Sequence, residues 1–198
     1  MPSDAPPADT TPPAPIRNTS QGALPGTLGS RALLDRIIRV DHAGEFGARR
    51  IYEGQLAVLR NHPNTPVIQR MLQQEVRHVE VFEQMVADRR VRPTLLQPFW
   101  HVAGFALGAA TALLGARAAM ACTVAVETVI DEHYAGQAAQ LGEDEAPLKA
   151  TIEAFRADEI EHRDIGLAHE AEQTPGYPVL SGAIKAGTRA AIWLSERI

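Results

Sequence analysis

The sequence has a single cysteine, Cys122, in 198 residues, so no disulfide can close within the chain. Cys122 sits between Ala121 and Thr123 in an apolar stretch and reads as a small buried hydrophobe rather than a reactive thiol. The chain has no excess of positive charge: 19 Lys and Arg stand against 24 Asp and Glu, for a net charge of −5. That leaves no electrostatic case for a nucleic-acid partner. No glycine fingerprint of a flavin or dinucleotide turn is found. The N-terminus lacks an apolar run and carries Asp4 and Asp9, so no secretory signal is expected. There is also no clean apolar run of the ~20 residues that a membrane span requires. From Pro93 to Ala116 there is no Lys, Arg, Asp or Glu, but Pro98 and His101 interrupt the stretch. It is expected to form a helix lying in a membrane interface or dipping into one leaflet, with an ordinary buried helix capping the bundle as the alternative, and Gly104-x-x-x-Gly108 within it permits close approach of another helix.

What is present is helical patterning in a chain of one-domain size. Residues 1–28 hold half of the 14 prolines and read as a disordered Pro-rich tail; the domain proper is 29–198. A first long helix is expected from a cap at Ser30 to about Arg60. After the His62-Pro63-Asn64 turn a second helix runs to about Arg90, capped by Thr65 with Pro66 in its first turn. A second pair is expected at about 117–142 and 145–172, the latter capped by Asp144. A last helix at 178–196 sets Val179, Ile192, Trp193 and Leu194 beside Lys185 and Arg189, a mixture suited to a membrane surface.

The chemistry lies in two repeats of one pattern. Glu75-Val76-Arg77-His78 recurs as Glu159-Ile160-Glu161-His162. Glu and His three apart share a helix face, and each pair falls in an apolar stripe, where an ionisable group is costly unless paired or bound to metal. Each pair is preceded by a lone Glu in the stripe of another helix: Glu45 comes 30 residues before Glu75 (75 − 45), and Glu127 32 before Glu159 (159 − 127). One Glu from each of two helices and one Glu-x-x-His from each of the other two make the ligand set of a di-iron or di-manganese carboxylate bundle. The expected metal ligands are therefore Glu45, Glu75, His78, Glu127, Glu159 and His162. Four carboxylates balance two divalent ions, and hard donors without thiolate favour iron or manganese. The pattern suggests Glu75 and Glu159 as ligands shared by both metals, with Glu45 and His78 on one and Glu127 and His162 on the other, although spacing leaves bridging and terminal roles open. Tyr134, two turns after Glu127, is a candidate catalytic partner beside the metals. Asp41, one turn before Glu45, is a candidate acceptor for the free ring N–H of a ligand histidine. Gly44 and Gly47 flank Glu45 and leave room for either a substrate or close helix packing.

The motifs Val40-Asp41-His42-Ala43-Gly44-Glu45, Glu75-x-x-His78, Ala125-Val126-Glu127 and Asp158-Glu159-Ile160-Glu161-His162-Arg163-Asp164-Ile165-Gly166-Leu167 carry a resemblance. Over about residues 30 to 198 the chain resembles the demethoxyubiquinone hydroxylase family of ubiquinone biosynthesis. The resemblance implies an all-α, ferritin-like four-helix bundle with two additional amphipathic or apolar helices and a non-haem di-iron centre. It also implies O₂-dependent hydroxylation of a polyprenylated methoxy-benzoquinol, an external electron donor, and peripheral attachment at the cytoplasmic face of the cell membrane. Other enzymes of ubiquinone biosynthesis are candidate partners. The headgroup is expected to enter between the uncharged segment and the first helix, near Gly44 and Gly47, leaving the tail among Phe99, Phe105 and Leu107. The rival reading is a ferritin-like iron-storage or peroxide-scavenging protein, which would have no use for a long uncharged segment.

Overall fold

Proline and glycine punctuate the described residues into six α-helices. The computed structural model describes residues 30–198, in which α1 is Ser30–Val58, α2 Thr65–Arg89, α3 Gln97–Leu113, α4 Ala116–Ala138, α5 Ala146–Ala168 and α6 Tyr177–Ser195. Among the described residues there is no strand. The tail expected at 1–28 and the side chain of the expected cap Ser30 lie outside the described residues. Pro66, Pro98, Pro147 and Pro178 each fall in the first turn of a helix, where no backbone N–H is required. Two expected caps are displaced. Asn64 precedes α2, while the Thr65 hydroxyl turns back to the Leu59 carbonyl. Glu145 precedes α5, and Asp144 lies in a short 3₁₀ turn, Glu143–Glu145.

α1 and α2 form one antiparallel hairpin and α4 and α5 another, and the two pack as a four-helix bundle. Its interior has three levels. At one end the start of α1 (Ile37, Ile38) meets the end of α4 (Ile130, Ala138) and the start of α5 (Leu148, Ile152). At the other end the start of α2 (Ile68, Met71) meets the start of α4 (Met120, Ala121). Burying each large aliphatic side chain contributes about 1.5–3 kcal/mol, so these two apolar plugs can hold an unfavourable polar layer between them. The middle of each bundle helix carries that layer.

α3 and α6 flank the bundle, α3 along α1 and α6 along α4. Contact between α1 and α3 is backbone to backbone: a methyl group at Gly108 would collide with the Ile51 carbonyl, and one at Gly54 with the Phe105 carbonyl. The Gly104-x-x-x-Gly108 spacing therefore does in this fold what it does between membrane helices, here against a bundle helix. The other side of α3 is bare, with Phe99, Val102 and Leu113 all exposed, as is Leu95 just before the helix. Trp100 Nε1 donates to Ser195 Oγ at 3.0 Å, tying α3 to α6. No described helix is long and apolar enough to cross a membrane.

Candidate metal centre

The six residues singled out by spacing converge in the middle layer. Glu45, Glu75, His78, Glu127, Glu159 and His162 are each at most 3% exposed. Their ligand atoms fall into two groups, Glu45, Glu75, His78 and Glu159 in one and Glu75, Glu127, Glu159 and His162 in the other, with the atoms of each group within 4.8 Å of one another. Glu75 and Glu159 belong to both groups. His78 Nδ1 lies 3.2 Å from Glu45 Oε2 and 3.2 Å from Glu159 Oε1. His162 Nδ1 lies 3.1 Å from Glu75 Oε1 and 3.3 Å from Glu159 Oε2. Both histidines thus aim Nδ1 inward.

The donors fit a pair of cations. Both oxygens of Glu75 and of Glu159, with Glu127 Oε2 and His162 Nδ1, are buried without a hydrogen-bond partner among the described residues. Orphaned buried acceptors are strongly unfavourable unless something charged meets them. Burial, then the charges of Glu159 and Glu45, push the Glu75 carboxyl well above its ordinary range. Burial, Glu159 and Glu75 do the same to Glu127. Burial works against ionisation of Glu159 too, but contacts with His162 and His78 outweigh it and hold that carboxyl at about 2. His78 is disfavoured as a cation by burial, yet its contacts with Glu159 and Glu45 push it up to about 12. Every one of these shifts expresses one demand of the layer, for positive charge at its centre.

A pseudo-twofold relation exchanges the hairpins. Tyr52, seven residues after Glu45, donates to Glu127 at 2.8 Å, while Tyr134, seven after Glu127, donates to Glu45. Burial, and then the neighbouring carboxylate, push both phenols well above their usual range, so both remain donors. Gln137 donates to Asp41 at 2.7 Å, and its counterpart Gln55 reaches Thr123 at 3.5 Å. The outer nitrogen of each histidine goes to the residue preceding the shared Glu of the opposite hairpin: His78 Nε2 is 3.0 Å from Asp158 Oδ2, and His162 Nε2 3.0 Å from Gln74 Oε1. This corrects the expectation for Asp41, which meets no ligand histidine and instead pairs with Gln137 and His133. The sequence reading missed Tyr52, Gln74 and Asp158. Their signal was available, since Tyr52 repeats the Glu-to-Tyr spacing of Glu127 and Tyr134, and Gln74 and Asp158 occupy equivalent positions in the repeat.

An apolar cavity of about 540 Å³ lies beside the layer, between α1, α3, α4 and α6. Gly44, Gly47, Ala48, Leu107, Ile184 and Ile192 are among its walls. A methyl group at Gly44 or Gly47 would meet nothing within 4 Å, so these glycines leave open space, whereas Gly54 and Gly108 serve packing. Phe105 is not in the cavity wall; Arg50 covers its ring at 5.0 Å. Val40, Gly44, Ala48, Ile130 and Ile192 also line a constriction of about 10 Å³ whose remaining wall includes Glu45, Glu127, Glu159 and Tyr134. The cavity therefore narrows onto the carboxylates.

Comparison with known proteins agrees with this geometry. The family described as ubiquinone biosynthesis protein COQ7 matches residues 32–195. The 3-demethoxyubiquinol 3-hydroxylase of Rhodospirillum rubrum is 62% identical over 183 residues, spanning 92% of this chain and 86% of that protein. The mitochondrial NADPH-dependent 3-demethoxyubiquinone 3-hydroxylase of Homo sapiens is 56% identical, spanning 85% and 80%. The mitochondrial 5-demethoxyubiquinone hydroxylase of Saccharomyces cerevisiae is 45% identical, spanning 84% and 79%. With its all-helical bundle, its buried carboxylate and histidine cluster and a match over nearly the whole described length, the chain belongs to the COQ7 family of ubiquinone biosynthesis proteins.

Proposed function

We propose that the chain is a di-iron monooxygenase that hydroxylates the ring of a polyprenylated methoxy-benzoquinol, demethoxyubiquinol, with O₂. The observation that carries this reading is the apolar cavity leading from the uncharged helix α3 to Glu45 and Glu159. A storage or peroxide-scavenging centre needs access for ions and small molecules; an apolar passage of this volume suits a bulky, greasy substrate. In overall balance one ring C–H becomes C–OH, the second oxygen atom leaves as water, and two electrons and two protons enter. Two bound irons supply the activation of O₂.

The protein's own share is positional. Glu75 and Glu159 would hold both irons, Glu45 with His78 and Glu127 with His162 one each. Tyr134 borders the constriction and fixes Glu45 by its hydrogen bond, so it stands where a ring entering from the cavity would arrive. Ile130 and Ile192 face the same constriction and exclude water around the reacting ring. Electrons are expected from an external donor, and the relative in Homo sapiens is named NADPH-dependent. A substrate with a polyprenyl tail resides in lipid, and the exposed Phe99 and Val102 of α3, Leu95 just before it and Trp193 of α6 support peripheral attachment there. The expected site is the cytoplasmic face of the cell membrane.

Aerobic turnover of iron-loaded protein with demethoxyubiquinol under ¹⁸O₂, read by mass spectrometry, tests the proposal. A product heavier by one labelled oxygen atom is expected. Rapid iron oxidation with unmodified quinol would favour storage or peroxide scavenging instead.

A further inference from the structure

The pseudo-twofold relation between the hairpins is broken behind the two histidines. At equal distances of 3.0 Å, His78 Nε2 faces a carboxylate, Asp158, and His162 Nε2 faces a neutral amide, Gln74. Elsewhere the halves match more closely: each terminal Glu receives one tyrosine hydroxyl, and Glu75 and Glu159 serve both groups. Taking the cluster as the two-metal centre proposed above, we infer that its two positions are unequal, the one between Glu45 and His78 binding its ion more tightly and filling first, with Asp158 and Gln74 as the positioning residues that set the order.

The cause is electrostatic. A carboxylate accepting the outer N–H of an imidazole pushes electron density toward the inner nitrogen, making Nδ1 a stronger donor, and its charge also offsets the cation directly. An amide oxygen accepts the same hydrogen bond with no net charge. Losing such a partner typically weakens metal binding 10–100-fold. The Asp158 side chain is 37% exposed, so solvent screens part of its charge, and the lower end, about tenfold, is the expected separation between the positions. Near Glu45 the repeat also has Asp41, held by Gln137 and His133, where the half holding Glu127 has Thr123.

Calorimetric titration of the metal-free full chain with Fe²⁺ under anaerobic conditions tests this. Two equal, independent sites would separate statistically by a factor of about four, so wild type is expected to show two steps whose dissociation constants differ by clearly more than that. Asp158→Asn, which keeps the shape and removes the charge, should weaken the tighter step about tenfold. Gln74→Glu, which keeps the shape and adds a charge, should strengthen the weaker step. The gain on Gln74→Glu is a result that mere loss of structure cannot produce. Two Fe²⁺ bound with equal intrinsic affinity, unmoved by either substitution, would overturn the inference while leaving the two-metal reading in place. Failure to bind two ions at all would overturn both.

Discussion

Tyr52 of α1 donates its hydroxyl proton to Glu127 of α4 at 2.8 Å, reaching across the bundle rather than to the Glu on its own helix. Tyr134 returns the bond from α4 to Glu45 of α1. The two hairpins are thereby crossed at the level of the ligands, and each carboxylate on the first helix of a hairpin is oriented by the other hairpin. Replacing either tyrosine by phenylalanine leaves a buried carboxylate oxygen without its donor, which costs about 1–3 kcal/mol. Both variants should melt several degrees lower than wild type. They should differ in turnover: only Tyr134 also borders the constriction below the cavity, so Tyr134→Phe is expected to lower kcat about tenfold or more at unchanged iron content, and Tyr52→Phe to lower it much less.

Ligand substitutions should sort by membership. Glu75 and Glu159 belong to both ligand groups, Glu45 and Glu127 to one each. Glu75→Ala or Glu159→Ala should therefore abolish binding of both irons, while Glu45→Ala or Glu127→Ala should leave one. Iron per chain after anaerobic reconstitution and desalting decides, and an equal loss in all four variants would rule out the shared role of the first two.

The buried cluster of four carboxylates and two histidines was legible in the sequence because Glu-x-x-His has the period of a helix and the lone Glu residues fall in the same stripes; helix geometry alone was enough to bring the six residues together. The partners of the ligands were less legible because they depend on how one hairpin sits against the other. Asp41 lies on the face of Glu45, which made it plausible beside a histidine, but the crossing places Asp158 and Gln74 there instead. The glycines separate for the same reason. Gly44 and Gly108 look alike in sequence, yet the backbone of α1 at Ile51 lies against Gly108 while a methyl group at Gly44 would meet nothing within 4 Å. The α2 cap moved because Thr65 found a carbonyl acceptor at Leu59, a contact with no periodic signal.

Stripping the metal should have a pH-dependent cost. In the metal-free layer the Glu75 and Glu127 carboxyls lie well above their usual value, and His78 sits at about 12. Groups with raised values bind more protons folded than unfolded, so the stability they contribute is present in acid and is lost as pH rises. For the carboxyls the loss begins above about 4.5 and for His78 above about 6.5. Glu159, held at about 2, acts oppositely but only as pH falls from about 4.5 toward 2. Between pH 6 and 9 the raised carboxyls and His78 act in the same direction, so the layer should cost the metal-free protein stability as pH rises. Iron held by these residues would replace those protons, and its binding should strengthen with pH. The difference in Tm between loaded and chelator-stripped protein should therefore widen from pH 6 to pH 9, as differential scanning calorimetry can measure; a constant difference would contradict the assignment.

Attachment to lipid should depend on the bare side of α3. Phe99 and Val102 are 60% and 65% exposed, whereas Leu107 is partly buried in the cavity wall. Phe99→Glu and Val102→Glu are expected to weaken flotation with anionic liposomes without changing iron content or thermal stability, since each places a charge in solvent when free and in the interface when bound. Unchanged flotation of the double variant would locate the contact elsewhere.

The glycines give the sharpest test of the substrate route, because their roles predict opposite responses. At Gly44 an added methyl group meets open space in the interior of α1, and alanine there should stabilise the helix by about 1 kcal/mol. Extending the side chain to leucine fills the passage where the cavity narrows onto Glu45 and Tyr134. Gly44→Leu should therefore retain both irons and near-native stability while losing most hydroxylation of a polyprenyl quinol, and a short-tailed, smaller quinol should be less affected. At Gly108 even alanine runs into the Ile51 carbonyl, and Gly108→Ala should destabilise the fold by about 1–3 kcal/mol. Measured together, iron content, Tm and turnover with long and short substrates distinguish a blocked passage from a damaged fold. Full activity of Gly44→Leu on the long-tailed quinol would show that the ring reaches the metals by another path.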